Sequence, residues 1–372
     1  MDILFKPEIL GFLNLLHRSP RYLGIADLKK EYAEHLPNMR TIYRWQKELG
    51  DKFRYFPRIH FQALGLVHLH LLIEKPSDKW VLFPFAVEIA WLIKDMNERV
   101  LYLHCLVPEI YMDTFQNLLM DLKNEGFCKD LKTIQTGDGT QTLKDLKSCF
   151  DRKGRIEIDE LEENDSGWDL VIGSRYGQDL LKQCPLIIPV VFENYGRKMS
   201  LPELWAVIQK RLQDTVWDYL PNHRRKLIHN GKRYVRRAFE FMNEQSLFRQ
   251  NVIRYRPMLN RALRVFMIAR GSSYKEIRSV CPTMDLFQGE EGLTIIRFTG
   301  DTALIYKLIE SLDRSPDERM EFYLLDKERT WGTKPGARFA YEILFDPRER
   351  RWVFPKKKIL KLFTRGDKDS SS

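Results

Sequence analysis

Two sets of side chains in the 372-residue sequence have types and spacings suited to chemistry. The first is cationic. In MRTIYRWQKELG, Ile42, Trp45 and Leu49 share one helical face and leave Arg40, Thr41, Tyr43, Arg44 and Lys47 on the other. Arginine forks onto guanine O6 and N7 while Lys, Thr and Tyr reach phosphate, so this face suits duplex DNA. Lys52, Arg54 and Arg58, interleaved with aromatics in DKFRYFPRIHF, follow as a wing or backbone clamp. Lys232, Arg233, Arg236 and Arg237 occupy the corresponding place in NGKRYVRRAFEFMNEQ. The second set is imidazole: His68 and His70 on one face of a strand, and His104 on a strand able to lie beside it. It is the nearest approach to a metal site, but no fourth ligand is indicated, and paired strand histidines are more often core or edge residues. GxSxG, HExxH, GxGxxG and GxxxxGK[ST] are absent, so no enzyme, catalytic residue, cofactor or metal is expected.

The elements that would position these residues follow from periodicity. Apolar residues at helical spacing predict helices over 6–18, 25–36 and 39–49, the last capped by Asn38, in the order of a helix-turn-helix domain. From Leu66 the period falls to two. LVHLHLLIE, AVEIAWLI, VLYLHCLV and KDLKTIQT read as strands; WVLFPF is a turn-like or helical crossing after the first, and an amphipathic helix from Ile110 to Glu125 precedes the fourth. That order, βαββαβ, is the ferredoxin-like arrangement. The second half repeats it: helices in PLIIPVVFENYG, in SLPELWAVIQKRLQDTVWDYL with Ser200 as cap, and in NGKRYVRRAFEFMNEQSLF. Then come ALRVFMIAR, a helix in SYKEIRSV, the hairpin TMDLFQGEEGLTIIRF, a helix capped by Asp301, and the strand MEFYLL. Trp205 and Trp217 read as core aromatics, and the Lys356 to Lys358 run as a solvated tail.

Charge follows the same division. The chain is +10 overall, with 11 basic and 7 acidic side chains in 1–60 against 7 and 10 in 62–136. Residues 197–261 hold 15 basic and 5 acidic side chains and 262–331 hold 10 and 12, so a basic block precedes an acidic one twice, as in a duplication. Between them, 151–169 has the polarity of an exposed linker. With 44% apolar residues the chain can bury real cores. No run reaches the roughly 20 residues of a membrane helix, and the N-terminus lacks signal-peptide features, so a cytoplasmic protein is expected. Five cysteines without CxxC spacing argue against a disulfide framework and a zinc knuckle.

RTIYRWQKELGDKF followed by IHFQALGLVHLHLLIE, with Leu64 and Gly65 leading into the strand, resembles the Lrp/AsnC (feast/famine) family of transcription regulators. The resemblance covers about residues 5–136 and, more loosely, 185–331. It implies an α+β chain of two helix-turn-helix, winged-helix-like domains, each followed by a ferredoxin-like domain. The segments would be 1–60, 61–150, an acidic linker at 151–170, 171–261, 262–331 and a basic extension at 332–372. Carried over, Arg40, Thr41, Tyr43 and Arg44 would read DNA. Family members bind amino acids at an acidic turn. Lys94, Asp95, Met96 and Asn97 do not match it, whereas Gly289, Glu290, Glu291 and Gly292 match in part and are the candidate effector site. Double-unit regulators of similar build occur in archaea, where some activators recruit a basal transcription factor. The implied function is a sequence-specific regulator of double-stranded DNA, acting as a monomeric pseudo-dimer or a homodimer. RNA binding or assembly through the ferredoxin-like sheets is the alternative; it lacks an RNP-type strand.

Overall fold

The computed structural model describes residues 7–18, 29–30, 32–49, 53–94, 98–143, 177–195, 199–220, 231–255, 262–270, 283–289, 292–301, 305–306, 320–326 and 339–364. In chain order the helices are α1 (Pro7–Arg18), α2 (Met39–Leu49), α3 (Met112–Asn124), α4 (Gly177–Gln183), α5 (Ile187–Asn194), α6 (Leu201–Leu212), α7 (Gly231–Glu244), α8 (Tyr341–Leu344) and α9 (Lys356–Thr364). The strands of the first half are β1 (Phe53–Ile59), β2 (Leu66–Glu74), β3 (Ala86–Ile93), β4 (Arg99–Pro108), β5 (Asp130–Thr136) and β6 (Thr140–Leu143). Those of the second are β7 (Phe248–Tyr255), β8 (Ala262–Arg270), β9 (Thr283–Gln288), β10 (Leu293–Asp301), β11 (Glu321–Leu325), β12 (Phe345–Asp346) and β13 (Arg351–Trp352). The chain is therefore α+β with antiparallel sheets.

Two compact units form, and neither is a contiguous half. One comprises Met1–Ile59, Gly139–Leu170 and Phe248–Leu325; the other comprises His60–Asp138, Val171–Leu247 and Asp326–Ser372. In the first, Asn38 Oδ1 accepts the Thr41 N–H at 3.0 Å, as the sequence predicts for the start of α2. Ile42 is fully buried and the Trp45 ring lies 5.9 Å from Phe12 of α1. β1 pairs antiparallel with β7, Phe53 opposite Tyr255. The sheet of this unit runs β11-β8-β10-β9-β6. One of its faces is apolar, with Val265, Met267, Met284, Leu286, Ile296 and Phe298 packed on Ile305. Each such side chain contributes roughly 1.5–3 kcal/mol by leaving water.

The second unit carries the sheet β5-β2-β4-β3. The stretch read as a turn-like or helical crossing after β2 contains a short 3-10 helix, Asp78–Leu82. The chain enters β2 through Gly65, whose φ of +71° lies in the left-handed region and whose N–H reaches the Gln62 carbonyl. α3 buries Phe115, Leu118, Leu119 and Leu122. Helices α5 to α7 form a block of their own. Ser200 and Glu203 make a reciprocal cap at α6, and Val235, Phe239 and Met242 of α7 are buried. Glu193 is buried but satisfied, 2.8 Å from Arg211 Nη1 and 3.1 Å from the Tyr341 hydroxyl. The Lys356 to Lys358 run is not the solvated tail expected. It opens α9, whose Phe363 packs at 5.3 Å on Trp80 and Phe127, while Lys356 pairs with Asp121 at 2.7 Å. The linker at 151–169, the SYKEIRSV helix and most of the helix expected after Asp301 lie outside the described residues; of the helix expected at 25–36, the described stretch 32–36 is turn and bend instead.

A Cβ added at Gly231 would stand 2.0 Å from the Trp205 indole, so α7 approaches α6 closely only because that side chain is missing. Gly231→Ala gains at most about 1 kcal/mol of helix propensity but overpacks a rigid ring at roughly 1–3 kcal/mol. The variant is expected to be less stable in chemical denaturation; equal or greater stability would contradict the packing.

Candidate active site

The polar face of the β5-β2-β4-β3 sheet gathers side chains that apolar burial alone does not explain. Alternation along β2 turns His68 and His70 to the same side. The β2 to β4 register sets His70 opposite His104, and the β2 to β5 register sets His68 opposite Thr136. His70 and His104 are fully buried, His68 and Asp138 nearly so. The imidazoles stack in a row: His70 and His104 at 4.6 Å and 7°, His68 and His104 at 5.0 Å and 25°.

Buried rings of this kind are tolerated because each is hydrogen-bonded. His70 lies 2.9 Å from the Tyr102 hydroxyl through Nδ1 and 3.0 Å from Thr136 Oγ1 through Nε2. His68 Nδ1 lies 2.8 Å from His104 Nε2, and His68 Nε2 lies 2.9 Å from Asp138 Oδ1. The other carboxylate oxygen, Oδ2, pairs with His60 Nδ1, and the Phe61 N–H donates to Oδ1 at 3.1 Å. Burial pushes the Asp138 carboxyl up, but the hydrogen bonds and charges of His60 and His68 outweigh it, holding this group well below the usual carboxylate range.

An ionised carboxylate only accepts hydrogen bonds, so the nitrogens of His60 and His68 that face Asp138 carry protons. In the neutral ring His68 then presents a lone pair at Nδ1, which takes the Nε2–H of His104 and leaves His104 basic at Nδ1. A proton gained at His104 Nδ1 can be matched by passing its Nε2 proton to His68, where the cation rests beside Asp138. This is general-base geometry, and the reverse transfer is general-acid geometry.

The sequence places His68 and His70 on one strand face and His104 on a strand able to lie beside it, as the register shows, but Asp138, His60, Tyr102 and Thr136 are not expected from it. Asp138 stands between Gly137 and Gly139 directly after β5, a setting that does not by itself mark it as a partner of the histidines. Among the described residues no group of His, Cys, Asp and Glu is arranged to hold a metal.

The cationic residues are divided between the two units, those of α2 in one and those of α7 in the other. Arg40, Tyr43, Arg44 and Lys47 are exposed on α2 and Thr41 is half-buried. Lys232, Arg233 and Arg236 are exposed on α7, with Arg237 half-buried. Arg58 is not an exposed clamp: it is an internal ion-pair partner of Asp285 at 2.9 Å. Lys52 and the Arg54 side chain lie outside the described residues, as do Glu290 and Glu291. Of the candidate effector turn, Gly289 pairs with Leu293 and Gly292 adopts φ +71°.

The sequence matches no protein-family model and no curated protein. Two solved structures are similar to the chain. One is the siroheme decarboxylase NirDL in co-complex with an iron-uroporphyrin III analogue, 9% identical, covering 96% of this chain and 98% of that one at a TM-score of 0.44. The other is the siroheme decarboxylase NirDL, 10% identical, covering 96% and 100%, also at 0.44. Both are structures of an enzyme. The identification as an Lrp/AsnC-type, archaeal-style transcription regulator, the exclusion of enzymatic activity, and the partners expected (double-stranded DNA, a basal transcription factor, an amino-acid effector) are corrected accordingly. In this chain the side chains arranged for chemistry are the buried imidazoles and Asp138. Among the described residues no helix is long and apolar enough to cross a membrane.

Asp138 gives the fold an acid-sensitive bond. Its carboxyl is depressed in the folded state, so its contribution is complete above the ordinary carboxylate pKa of about 4 and lost as pH falls toward the folded value. Asp138→Asn should cost roughly 3–5 kcal/mol at neutral pH and flatten the loss of stability below about pH 4. Urea titrations at pH 7 and pH 3 measure both; an unchanged acid limb would show that Asp138 is not the linked group.

Proposed function

We propose that the chain is an enzyme whose reaction turns on proton transfer at the His104–His68–Asp138 relay. The observation that carries this reading is the unbroken line of 2.8 and 2.9 Å contacts from a buried imidazole to a carboxylate held ionised by a second histidine. Reactions that place a proton on carbon or remove one fit such a group, and decarboxylation, in which a carbanion left by CO2 must be protonated, is among them. His104 would be the acid or base, His68 its proton reservoir and Asp138 the residue fixing the tautomer of both. His60, 15% exposed at its side chain, would connect Asp138 to solvent.

In the same reading the chain is an internal duplication. Each copy would be a helix-turn-helix-like segment followed by a ferredoxin-like one, with segment borders at 1–60, 61–150, 151–170, 171–261, 262–331 and 332–372. Two features support it. The sheets β5-β2-β4-β3 and β11-β8-β10-β9 have the same order when read from the first strand of each half. The strands that follow α2 and α7, β1 and β7, pair with each other.

The relay predicts that His104 is protonated at Nε2 and His68 at Nε2, which 15N chemical shifts of histidine-labelled protein read directly. The opposite tautomer at His68 would sink the proposal. For turnover, iron-uroporphyrin III is the first compound to assay, with CO2 release as the readout. His104→Asn and Asp138→Asn should each lower the rate about 10²–10⁴-fold in folded protein. Undiminished turnover in both would remove the relay from the mechanism.

A further inference from the structure

A second polar cluster lies in the other unit, apart from the histidine row. Arg58 near the end of β1, Asp285 and Phe287 on β9, and Arg297 on β10 come together there. Arg297 is directly opposite Asp285 in the strand register. Arg58 Nη2 lies 2.9 Å from Asp285 Oδ1, and Arg297 Nη2 lies 3.5 Å from Asp285 Oδ2. Both guanidinium carbons lie over the Phe287 ring, at 5.7 and 4.8 Å from its centroid.

Two features set the cluster apart from an ordinary ion pair. Alternation turns Met284 and Leu286 to the apolar face and Asp285 and Phe287 to this one, so the sequence spends two arginines and an aspartate where an apolar face would also pack. With both arginine side chains 12% exposed and the carboxylate 8%, desolvating the triad is costly, and replacing such a triad whole by apolar side chains is often neutral or stabilising. The carboxylate also bridges: one oxygen goes to each arginine. A bound carboxylate would likewise span the two guanidinium groups, one oxygen to each.

We propose that Arg58 and Arg297 form a receptor for the carboxylate of a small organic acid, and that Asp285 occupies the ligand's place until it is displaced. Phe287 holds both guanidinium planes in position through its ring face. The ligand exchanges with Asp285 for shared donors, so the resting affinity is low and is set by that internal competitor. This site is independent of the histidine relay.

Calorimetric titration of the full chain with succinate at constant ionic strength tests it, with the uncharged succinamide as control. Asp285→Asn removes the competitor and should bind succinate about tenfold more tightly than the wild type, while Arg297→Gln should bind none. Succinamide should give no binding to any of them. Affinity in Asp285→Asn equal to or below that of the wild type, or binding retained in Arg297→Gln, overturns the proposal. Should Asp285→Asn fail to fold, Arg297→Lys decides, because it keeps the charge and loses the fork. A fall of about tenfold against wild type supports the receptor and an unchanged affinity overturns it.

Discussion

A carboxylate that must stay ionised in the protein interior constrains everything around it. Asp138 is buried, and an isolated charge there would be untenable, so donors have to come to it from three places. They are the His60 ring, the His68 ring on β2, and the backbone N–H groups of Phe61 and Gln62 just before that strand. The stretch from His60 to Gly65 is thereby tied to the end of β5. Its path is held at the other end by Trp352, whose Nε1 donates to the Leu64 carbonyl at 2.8 Å. The histidine row inherits its orientation from this anchor, since a fixed proton on His68 Nε2 dictates which nitrogen of His104 is basic.

The compact units are built by exchange rather than by halves. The N-terminal helices and β1 belong with β7 to β11, and the first sheet belongs with the helical block α5 to α7 and the C-terminal segment. A core closed in this way requires contacts of high sequence separation. Arg58 reaches Asp285 across 227 positions, and Trp352 reaches Leu64 across 288. Such contacts form only after long loops close, which favours slow, cooperative folding over independent folding of each half.

That same separation explains what the sequence revealed and what it hid. β2 and β3 match the expected segments residue for residue, and α2 begins at its predicted cap, because periodicity and capping are local. The pairing of β2 with β4 was also within reach, since a short hairpin from β3 to β4 brings His104 back alongside. Asp138 and His60 were not. Nothing local marks an aspartate as the partner of a histidine 78 positions away. Arg58 was misread for a related reason: a cation among aromatics looks like a phosphate clamp, and only the fold supplies Asp285. The Lys356 to Lys358 run was misread because its charge is local while the docking of Ile359 and Phe363 is not.

The stacking of the histidines bears on the kind of chemistry they suit. Metal ligands converge their lone pairs on one point. Here the rings lie face to face, and the nitrogens point along the sheet to a neighbour, a hydroxyl or a carboxylate. Two imidazolium rings 4.6 Å apart in a dry interior would repel by several kcal/mol even at an effective dielectric near 20, so the row holds one proton more readily than two. Of the stacked rings, His68 is the one in direct contact with Asp138, at 2.9 Å. Rings aligned in this way point their nitrogens from one neighbour to the next along the sheet rather than at a shared centre.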